Sequence, residues 1–216
     1  MSDSLKDTIY KAILQDILSY EYKPNDILNE KVLVEKYGCS KSPVREALLE
    51  LCTENVVRSI PRCGYEVIRV TRDDVREMLQ YRYILERGLL MAHLAAFSDA
   101  QIERLAAIDE KCSNAEDMWE HWAYNTEFHM KMALFCGNSY AAESLQRCMD
   151  RLKRAYAQFY WDDPEGVHFS KDTRNHEAVL EALRSRDEEA LAAALAEDMN
   201  DFGGKRLYTA TKTWLE

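Results

Sequence analysis

Apolar residues recur at helical spacing along most of the chain, beginning with a predicted helix over residues 5–19. A short helix is predicted over residues 30–37, because its apolar positions share one face and Gly38 supplies a C-terminal stop. A third helix is predicted to begin after Ser40. Two short helices joined by a tight turn are typical of a helix-turn-helix.

The third helix has an apolar face and a polar face. Ser40 is expected to cap its N-terminus, and Pro43 falls in the first turn, where a missing N–H costs little. Its predicted buried stripe comprises Val44, Ala47, Leu48 and Leu51. Lys41, Ser42 and Arg45 lie on another face near the N-terminus, as expected of a helix that enters the major groove of DNA. On this helix alone, a solvated amphipathic helix is the alternative.

The periodicity then changes to that of strands. Residues 56–60 and 65–70 are rich in β-branched side chains, and Pro61-Arg62-Cys63-Gly64 between them predicts a turn. This hairpin would form a wing beside the third helix, with the cation Arg62 at its tip.

Residues 27–51, with their Ser-x-x-Pro-Val-Arg-Glu-Ala-Leu core, and the hairpin that follows resemble the winged helix of GntR-type transcription regulators. Asn55 replaces the family's usual glycine before the first wing strand, and asparagine tolerates a left-handed backbone nearly as well. Lys41 replaces the family's usual arginine. The resemblance implies that double-stranded operator DNA is contacted by Lys31, Lys41, Ser42, Arg45, Arg62 and Gly64.

From residue 71 onward the pattern predicts about six helices. Thr71-Arg72-Asp73-Asp74 fits a capping box that opens the first of them, and Ser113-Asn114-Ala115-Glu116 fits a box that opens the third. We therefore expect a DNA-binding domain over residues 1–70 and an all-helical domain over residues 71–216. The predicted fold class is mainly α, with an N-terminal winged helix-turn-helix and a C-terminal helical bundle.

Polar residues interrupt the apolar faces of this bundle. Arg82 lies on the stripe of the first helix, and Glu86, one turn later, is its simplest ion-pair partner. Ligand-type side chains occupy the stripes of three later helices: Asn125, His129, His176 and Asp198. Each alone is more often a hydrogen-bonded core residue, but four such groups inside a bundle can converge on a metal ion.

The helical half resembles the effector domain of FadR-like GntR regulators, in its shorter VanR-like form, through Arg82-Tyr-Ile-Leu-Glu86, Asn125-Thr-Glu-Phe-His129 and the helix at His176. Many members hold a divalent metal with Asp-x3-His and two later histidines. Here Asn125 replaces the aspartate and Asp198 replaces the last histidine. The resemblance implies a divalent ion at Asn125, His129, His176 and Asp198, a small organic-acid effector on that ion, and Arg82 as a further effector contact. Two imidazoles with a carboxylate and an amide oxygen suit Zn, Ni, Mn or Fe.

A net charge of −10 is unfavourable for a DNA-binding protein, but the acidic residues are unevenly distributed. Residues 1–70 contain 10 Lys and Arg against 11 Asp and Glu, whereas the remainder contains 18 against 27. The predicted DNA-binding half is therefore nearly neutral. Sequence-independent affinity for DNA should be modest, so useful binding is expected to require a homodimer.

Composition and hydropathy also indicate the subcellular location that we expect for the protein. No apolar run approaches the ~18 residues of a membrane span, and the N-terminus lacks the features of a signal peptide. The six cysteines share no metal-type spacing and are interpreted as reduced thiols. A cytoplasmic protein without a membrane partner is expected.

These features together predict a cytoplasmic, homodimeric transcription regulator, expected to be a repressor, and not an enzyme. One alternative function is a metalloenzyme built on the helical half. Such an enzyme needs a general acid or base beside the metal site, and His121 is the only nearby candidate. A second rival is a metal-free sensor whose pocket binds an organic ligand directly.

Overall fold

A computed structural model describes residues 4–162, 173–202 and 205–206 of the 216-residue chain. The chain divides into two compact units. The first contains Met1–Thr71 together with Arg154–Asp162, and the second contains Arg72–Lys153 and Asp163–Glu216. The predicted fold class, a winged helix-turn-helix followed by a helical bundle, is confirmed.

The first unit combines three helices with a three-stranded antiparallel sheet. Its elements are α1 (Leu5–Leu18), β1 (Ile27–Leu28), α2 (Glu30–Tyr37), α3 (Lys41–Thr53), β2 (Val57–Ile60) and β3 (Gly64–Val67). The strand order is β1-β3-β2, and Tyr65 of β3 faces Leu28 of β1 and Ser59 of β2. The wing hairpin is as predicted, but the sequence pattern did not indicate β1. The stripe predicted for α3 is fully buried in the core of the unit.

The turns of this unit test the capping predictions. Gly38 ends α2 with a left-handed φ of 61°, and Asn55 adopts a φ of 54°, as expected for the residue that replaces glycine. Ser40 occupies the N-cap position of α3, but its side chain makes no capping hydrogen bond, so that part of the prediction is wrong. A capping box is instead present on α1, where Ser4 Oγ accepts the N–H of Asp7 at 3.2 Å.

The second unit is built from helices. Within the described residues they are α4 (Arg72–His93), α5 (Asp99–Ser113), α6 (Met118–Phe135), α7 (Ser139–Asp162), α8 (Arg174–Ser185) and α9 (Glu188–Asn200), followed by the paired strands β4 (Asp201–Phe202) and β5 (Lys205–Arg206). The capping box predicted at residues 113–116 is wrong. Ser113 is the last residue of α5 and donates to the carbonyl of Glu110, and Asp117 caps α6 by accepting the N–H of Trp119 at 2.7 Å.

The end of α7 belongs to the first unit, which the sequence did not indicate. The Gln158 amide pairs with both backbone groups of Val70: it accepts the N–H at 2.9 Å and donates to the carbonyl at 2.8 Å. Arg154 donates to the carbonyl of Asn55 at 3.0 Å, just after α3. Trp161 donates to the carbonyl at the end of α1 at 3.1 Å. These three side chains therefore satisfy backbone groups at the ends of the elements of the winged helix.

Candidate DNA interface and candidate metal and effector site

The DNA contacts expected from the sequence lie on the surface of the first unit. Lys41, Ser42 and Arg45 occupy the first turns of α3, and all three are exposed. Lys31 is exposed in the first turn of α2, and Arg62 is exposed in the turn of the wing. Exposed cations and hydroxyls on these elements can reach phosphates and base edges.

Neighbouring carboxylates hold two of these side chains. Lys41 Nζ lies 3.2 Å from Glu30 Oε2 at the start of α2, and Ser42 Oγ donates to Glu46 Oε1 at 2.8 Å. The Lys41 side chain is 71% exposed, so its ion pair contributes little to stability. A DNA phosphate can therefore displace Glu30 from Lys41 at low cost.

Gly64 has a structural role of its own in the wing. Its φ is 136°, a conformation that L side chains rarely adopt, and a Cβ there would clash with the carbonyl oxygen of Leu28 in β1. The close pairing of β1 with β3 thus requires glycine at this position. Any contact of Gly64 with DNA would come in addition to this requirement.

Inside the second unit, a network of polar side chains joins five helices. Its members are Arg82 and Glu86 of α4, Asp109 of α5, Asn125 and His129 of α6, His176 of α8 and Asp198 of α9. Ligand atoms of His129, His176 and Asp198 all lie within 4.8 Å of one another. Asn125 Oδ1 is 3.0 Å from His176 Nε2, so the four ligands predicted from the sequence are brought together.

His129 is fully buried between two carboxylates. Its Nδ1 lies 2.7 Å from Glu86 Oε2, and its Nε2 lies 3.2 Å from Asp198 Oδ2. Burial disfavours a charged imidazole, but the attraction of Glu86 and Asp198 outweighs it, and the pKa of His129 is raised.

His176 is arranged in the same way. Its Nδ1 lies 2.9 Å from Asp109 Oδ1, and its Nε2 faces Asn125 and lies 3.7 Å from Asp198 Oδ1. The imidazole stacks on Phe128, with ring centroids 4.1 Å apart and planes 12° from parallel. Both histidines thus direct Nδ1 towards an outer carboxylate and Nε2 towards Asp198.

Arg82 is buried and only partly paired. Its Nε donates to Glu86 Oε1 at 2.8 Å, which confirms the partner expected from the sequence. Its Nη2, also buried, has no hydrogen-bond partner. Burial disfavours the charge, yet Glu86 and Asp198 outweigh it and raise the pKa of Arg82. A buried donor without an acceptor is costly, and an anionic ligand would satisfy it.

The donor set fits a divalent ion. Burial opposes ionisation of Asp198, but His129, His176 and Arg82 outweigh it, and the pKa of Asp198 lies below its usual range. The separations of 3.2 and 3.7 Å between the Asp198 oxygens and the two Nε2 atoms are close to the roughly 3.4 Å between neighbouring ligand atoms around tetrahedral zinc. With neutral histidines, the network holds three carboxylates and one guanidinium, a net formal charge of −2 that a dication would balance.

Comparison with known families accounts for both halves of the chain. Residues 5–67 match the family described as "Bacterial regulatory proteins, gntR family", and residues 77–201 match the FCD domain. The second match alone covers more than half of the 216 residues. The chain belongs to the GntR family of transcription regulators. The prediction of a DNA-binding regulator rather than an enzyme is therefore confirmed.

Several GntR-family proteins resemble this one along most of their length. The transcriptional repressor GlaR of Escherichia coli is 24% identical over 189 residues, which cover 82% of this chain and 84% of GlaR. The gluconate operon repressor of Bacillus licheniformis is 25% identical over 199 residues, which cover 88% and 79%. The structure of E. coli McbR/YncC has a TM-score of 0.71 at 24% identity and covers 92% of this chain and 94% of its own.

A GntR-family regulator from Rhodococcus has the same fold, with a TM-score of 0.65 at 22% identity over 91% of this chain and 94% of its own. Among the described residues, no helix has both the length and the hydropathy needed to cross a membrane.

Sequence reasoning missed part of the buried network of this GntR-family protein. It identified Glu86 as the partner of Arg82 but not of His129, and it did not identify Asp109 at all. A signal for Asp109 was present: it lies on the buried face of α5 with Ile102, Leu105, Ile108 and Cys112. A carboxylate on an apolar stripe is the same signal that singled out Asp198 on α9.

Proposed function

We propose that this GntR-family protein is a transcription repressor that binds operator DNA as a homodimer through Lys31, Lys41, Ser42, Arg45, Arg62 and Gly64. Similar proteins from E. coli and B. licheniformis carry the names of repressors, which supports this sign of regulation. The exposed cations at the start of α3 and in the wing support the DNA-contacting surface. Such a protein is expected to act in the cytoplasm, where its DNA lies.

The effector is proposed to be a small organic acid bound in the second unit. Asn125, His129, His176 and Asp198 would hold a divalent ion, which when bound supplies a Lewis-acidic centre for a carboxylate oxygen. The observation that carries this proposal is the convergence of three ligand side chains within 4.8 Å inside the bundle. Arg82 Nη2, buried without a hydrogen-bond partner, would pair with the effector's carboxylate.

A metal-free sensor is the second candidate, and one observation favours it. The predicted ligands already contact one another directly, with Asn125 3.0 Å from His176 and Asp198 3.2 Å from His129. In that case an organic acid would bind Arg82 directly, and the histidines would contribute hydrogen bonds.

A homodimer is proposed because one recognition helix contacts only a few base pairs. Two large apolar residues on α4 support a contact through this helix: Tyr81 is 41% exposed and Ile84 is 67% exposed. Helix α4 also carries Arg82 and follows the wing in sequence. Effector binding is therefore proposed to tilt α4 and to change the spacing of the two recognition helices.

Metal analysis combined with operator titration tests these proposals. The full chain, purified without chelator, would be offered Zn, Ni, Mn and Fe, and its bound metal measured after desalting. An operator selected from random duplexes would then be titrated by fluorescence anisotropy, with and without candidate organic acids, while light scattering reports the size of the complex.

We expect one ion per chain, a dimer on DNA, and weaker operator binding with at least one acid. A wild-type protein that binds none of the metals, yet responds to an acid, would replace the metal site with the metal-free sensor. A monomer on DNA would overturn the dimer.

A further inference from the structure

We propose that Glu86 and Asp109 are positioning residues that fix the tautomers of His129 and His176, so that both Nε2 lone pairs face the proposed metal position. This inference rests on the metal site proposed above. It assigns a function to the buried carboxylates of Glu86 and Asp109, which are not among the four proposed metal ligands.

The argument begins with the chemistry of the two partners. An ionised carboxylate can only accept hydrogen bonds, and a neutral imidazole carries one proton on one of its two nitrogens. Glu86 lies 2.7 Å from His129 Nδ1, and Asp109 lies 2.9 Å from His176 Nδ1. At the other nitrogen, His129 Nε2 has no hydrogen-bond partner although it lies 3.2 Å from Asp198, and His176 Nε2 lies 3.0 Å from the neutral amide oxygen of Asn125. The single proton of each neutral ring is therefore better placed on Nδ1, which leaves Nε2 with the lone pair that a metal ion needs.

In this tautomer, the Nε2 atoms of both histidines direct their lone pairs to the same place. The two Nε2 atoms face the same carboxylate, at 3.2 Å and 3.7 Å from the oxygens of Asp198. The opposite tautomer would place a proton on Nε2 and leave Glu86 or Asp109 facing a lone pair. One outer carboxylate for each histidine thus holds both rings in the form that can bind metal.

Both outer carboxylates, those of Glu86 and Asp109, are buried, so their contacts with the histidines are not chance contacts between exposed side chains. Glu86 is 2% exposed and Asp109 is 7% exposed, and a buried carboxylate is costly unless it is paired. The two oxygens of Glu86 are divided between Arg82 Nε and His129 Nδ1. One carboxylate therefore joins the proposed effector contact to a proposed metal ligand.

Zinc affinity provides the first test, measured on the full chain by competition with a chromophoric chelator. Asp109→Ala should weaken zinc binding about 10- to 100-fold, because it removes the acceptor that orients His176. Asp109→Asn keeps an acceptor oxygen at the same place and should lose less. Glu110→Gln removes an exposed carboxylate from the next position of α5 and is the matched control.

The tautomers themselves provide a readout that a merely structural role would not change. Ring ¹⁵N spectra of metal-free protein labelled on histidine would be recorded at alkaline pH, because they report which ring nitrogen carries the proton. The wild type should show the proton on Nδ1 of both His129 and His176. Asp109→Ala should shift His176 towards the other tautomer, and Glu86→Ala should do so for His129, with Glu77→Ala as the exposed control on α4.

Failure of this inference and failure of the metal site give different results. A wild type that binds no zinc but has both protons on Nδ1 would overturn the metal site and retain the positioning role. Wild-type zinc affinity in Asp109→Ala, or wild-type tautomers in both variants, would overturn the positioning role even if the wild type binds zinc tightly.

Discussion

The two units of this GntR-family regulator present their functional groups in opposite ways. In the winged-helix unit, most of the residues expected to contact DNA are exposed, and three of them lie within five consecutive positions of α3. In the helical unit, the polar network that contains the proposed metal and effector residues draws its members from five different helices, and both histidines are buried. A surface site can thus be encoded in one local motif, whereas an internal site requires the whole bundle.

This difference determines how function and stability are related in each unit. An exposed cation on α3 can be removed without opening the core. A buried histidine cannot, because its removal leaves a cavity and an unpaired carboxylate. Substitutions in the helical unit should therefore change ligand response and stability together, whereas those on the DNA surface should change affinity alone.

The largest effect is expected from His129→Ala. His129 is fully buried, and its loss would leave Glu86 and Asp198 without their shared partner. Zinc affinity should fall by more than about 100-fold and the effector response should disappear, while basal operator affinity stays within about twofold, because no DNA-contacting residue is touched. Metal content and an anisotropy titration measure both.

The control for this substitution is His93→Ala, which removes a half-buried histidine from α4, outside the polar network. It should retain its metal. If His129→Ala also lost operator binding while remaining folded by circular dichroism, the expectation that basal operator binding does not require the metal site would be contradicted.

The second prediction concerns the end of α7, which belongs to the winged-helix unit. Gln158→Ala should reduce the free energy of unfolding by about 1–3 kcal/mol, because both backbone groups of Val70 are left without their partner. Gln146→Ala, on the same helix but bonded to the exposed Asp150, should cost less than about 0.5 kcal/mol. Urea denaturation measures both, and equal losses would refute the special role of Gln158.

Sequence alone predicted the elements of both units well, because helical periodicity is a local signal. The short helix α2 was predicted over residues 30–37, which are its observed bounds, and the stripe of α3 is buried as predicted. Asn55 adopts the left-handed conformation that its substitution for glycine implied. The four predicted metal ligands converge because each lies on the buried face of its own helix.

The missed features are those that depend on a distant partner. The two-residue strand β1 is too short to have a period of its own and exists through its pairing with β3. The partner of Asp109 is His176, which lies on the distant helix α8 and contacts it only in the folded bundle. The end of α7 has ordinary helical periodicity, and nothing in that pattern indicates which backbone groups its polar side chains will satisfy.

The third prediction tests the DNA surface. Arg45→Ala should weaken operator binding by about 1–3 kcal/mol and leave the free energy of unfolding within about 0.5 kcal/mol of the wild type, since Arg45 is exposed. A phosphate contact would also reduce the slope of log affinity against log salt by about one, whereas a base contact would relax specificity at one position. Arg104→Ala on α5 is the exposed control, and equal effects of the two would refute the interface.

The smallest effect is expected at the N-cap of the recognition helix, where two serines can be compared. Ser4 caps α1 through a full capping box, whereas Ser40 occupies the N-cap position of α3 without a side-chain hydrogen bond. Ser4→Ala should therefore cost about 0.5–2 kcal/mol of stability, and Ser40→Ala less than about 0.5 kcal/mol. Urea denaturation of the two variants in parallel measures the difference.

Because Ser40 is exposed beside Lys41, its hydroxyl remains available to a phosphate, so Ser40→Ala should weaken operator binding slightly while stability is unchanged. A loss of stability in Ser40→Ala as large as that in Ser4→Ala would mean that the Ser40 hydroxyl does cap α3, as the sequence predicts.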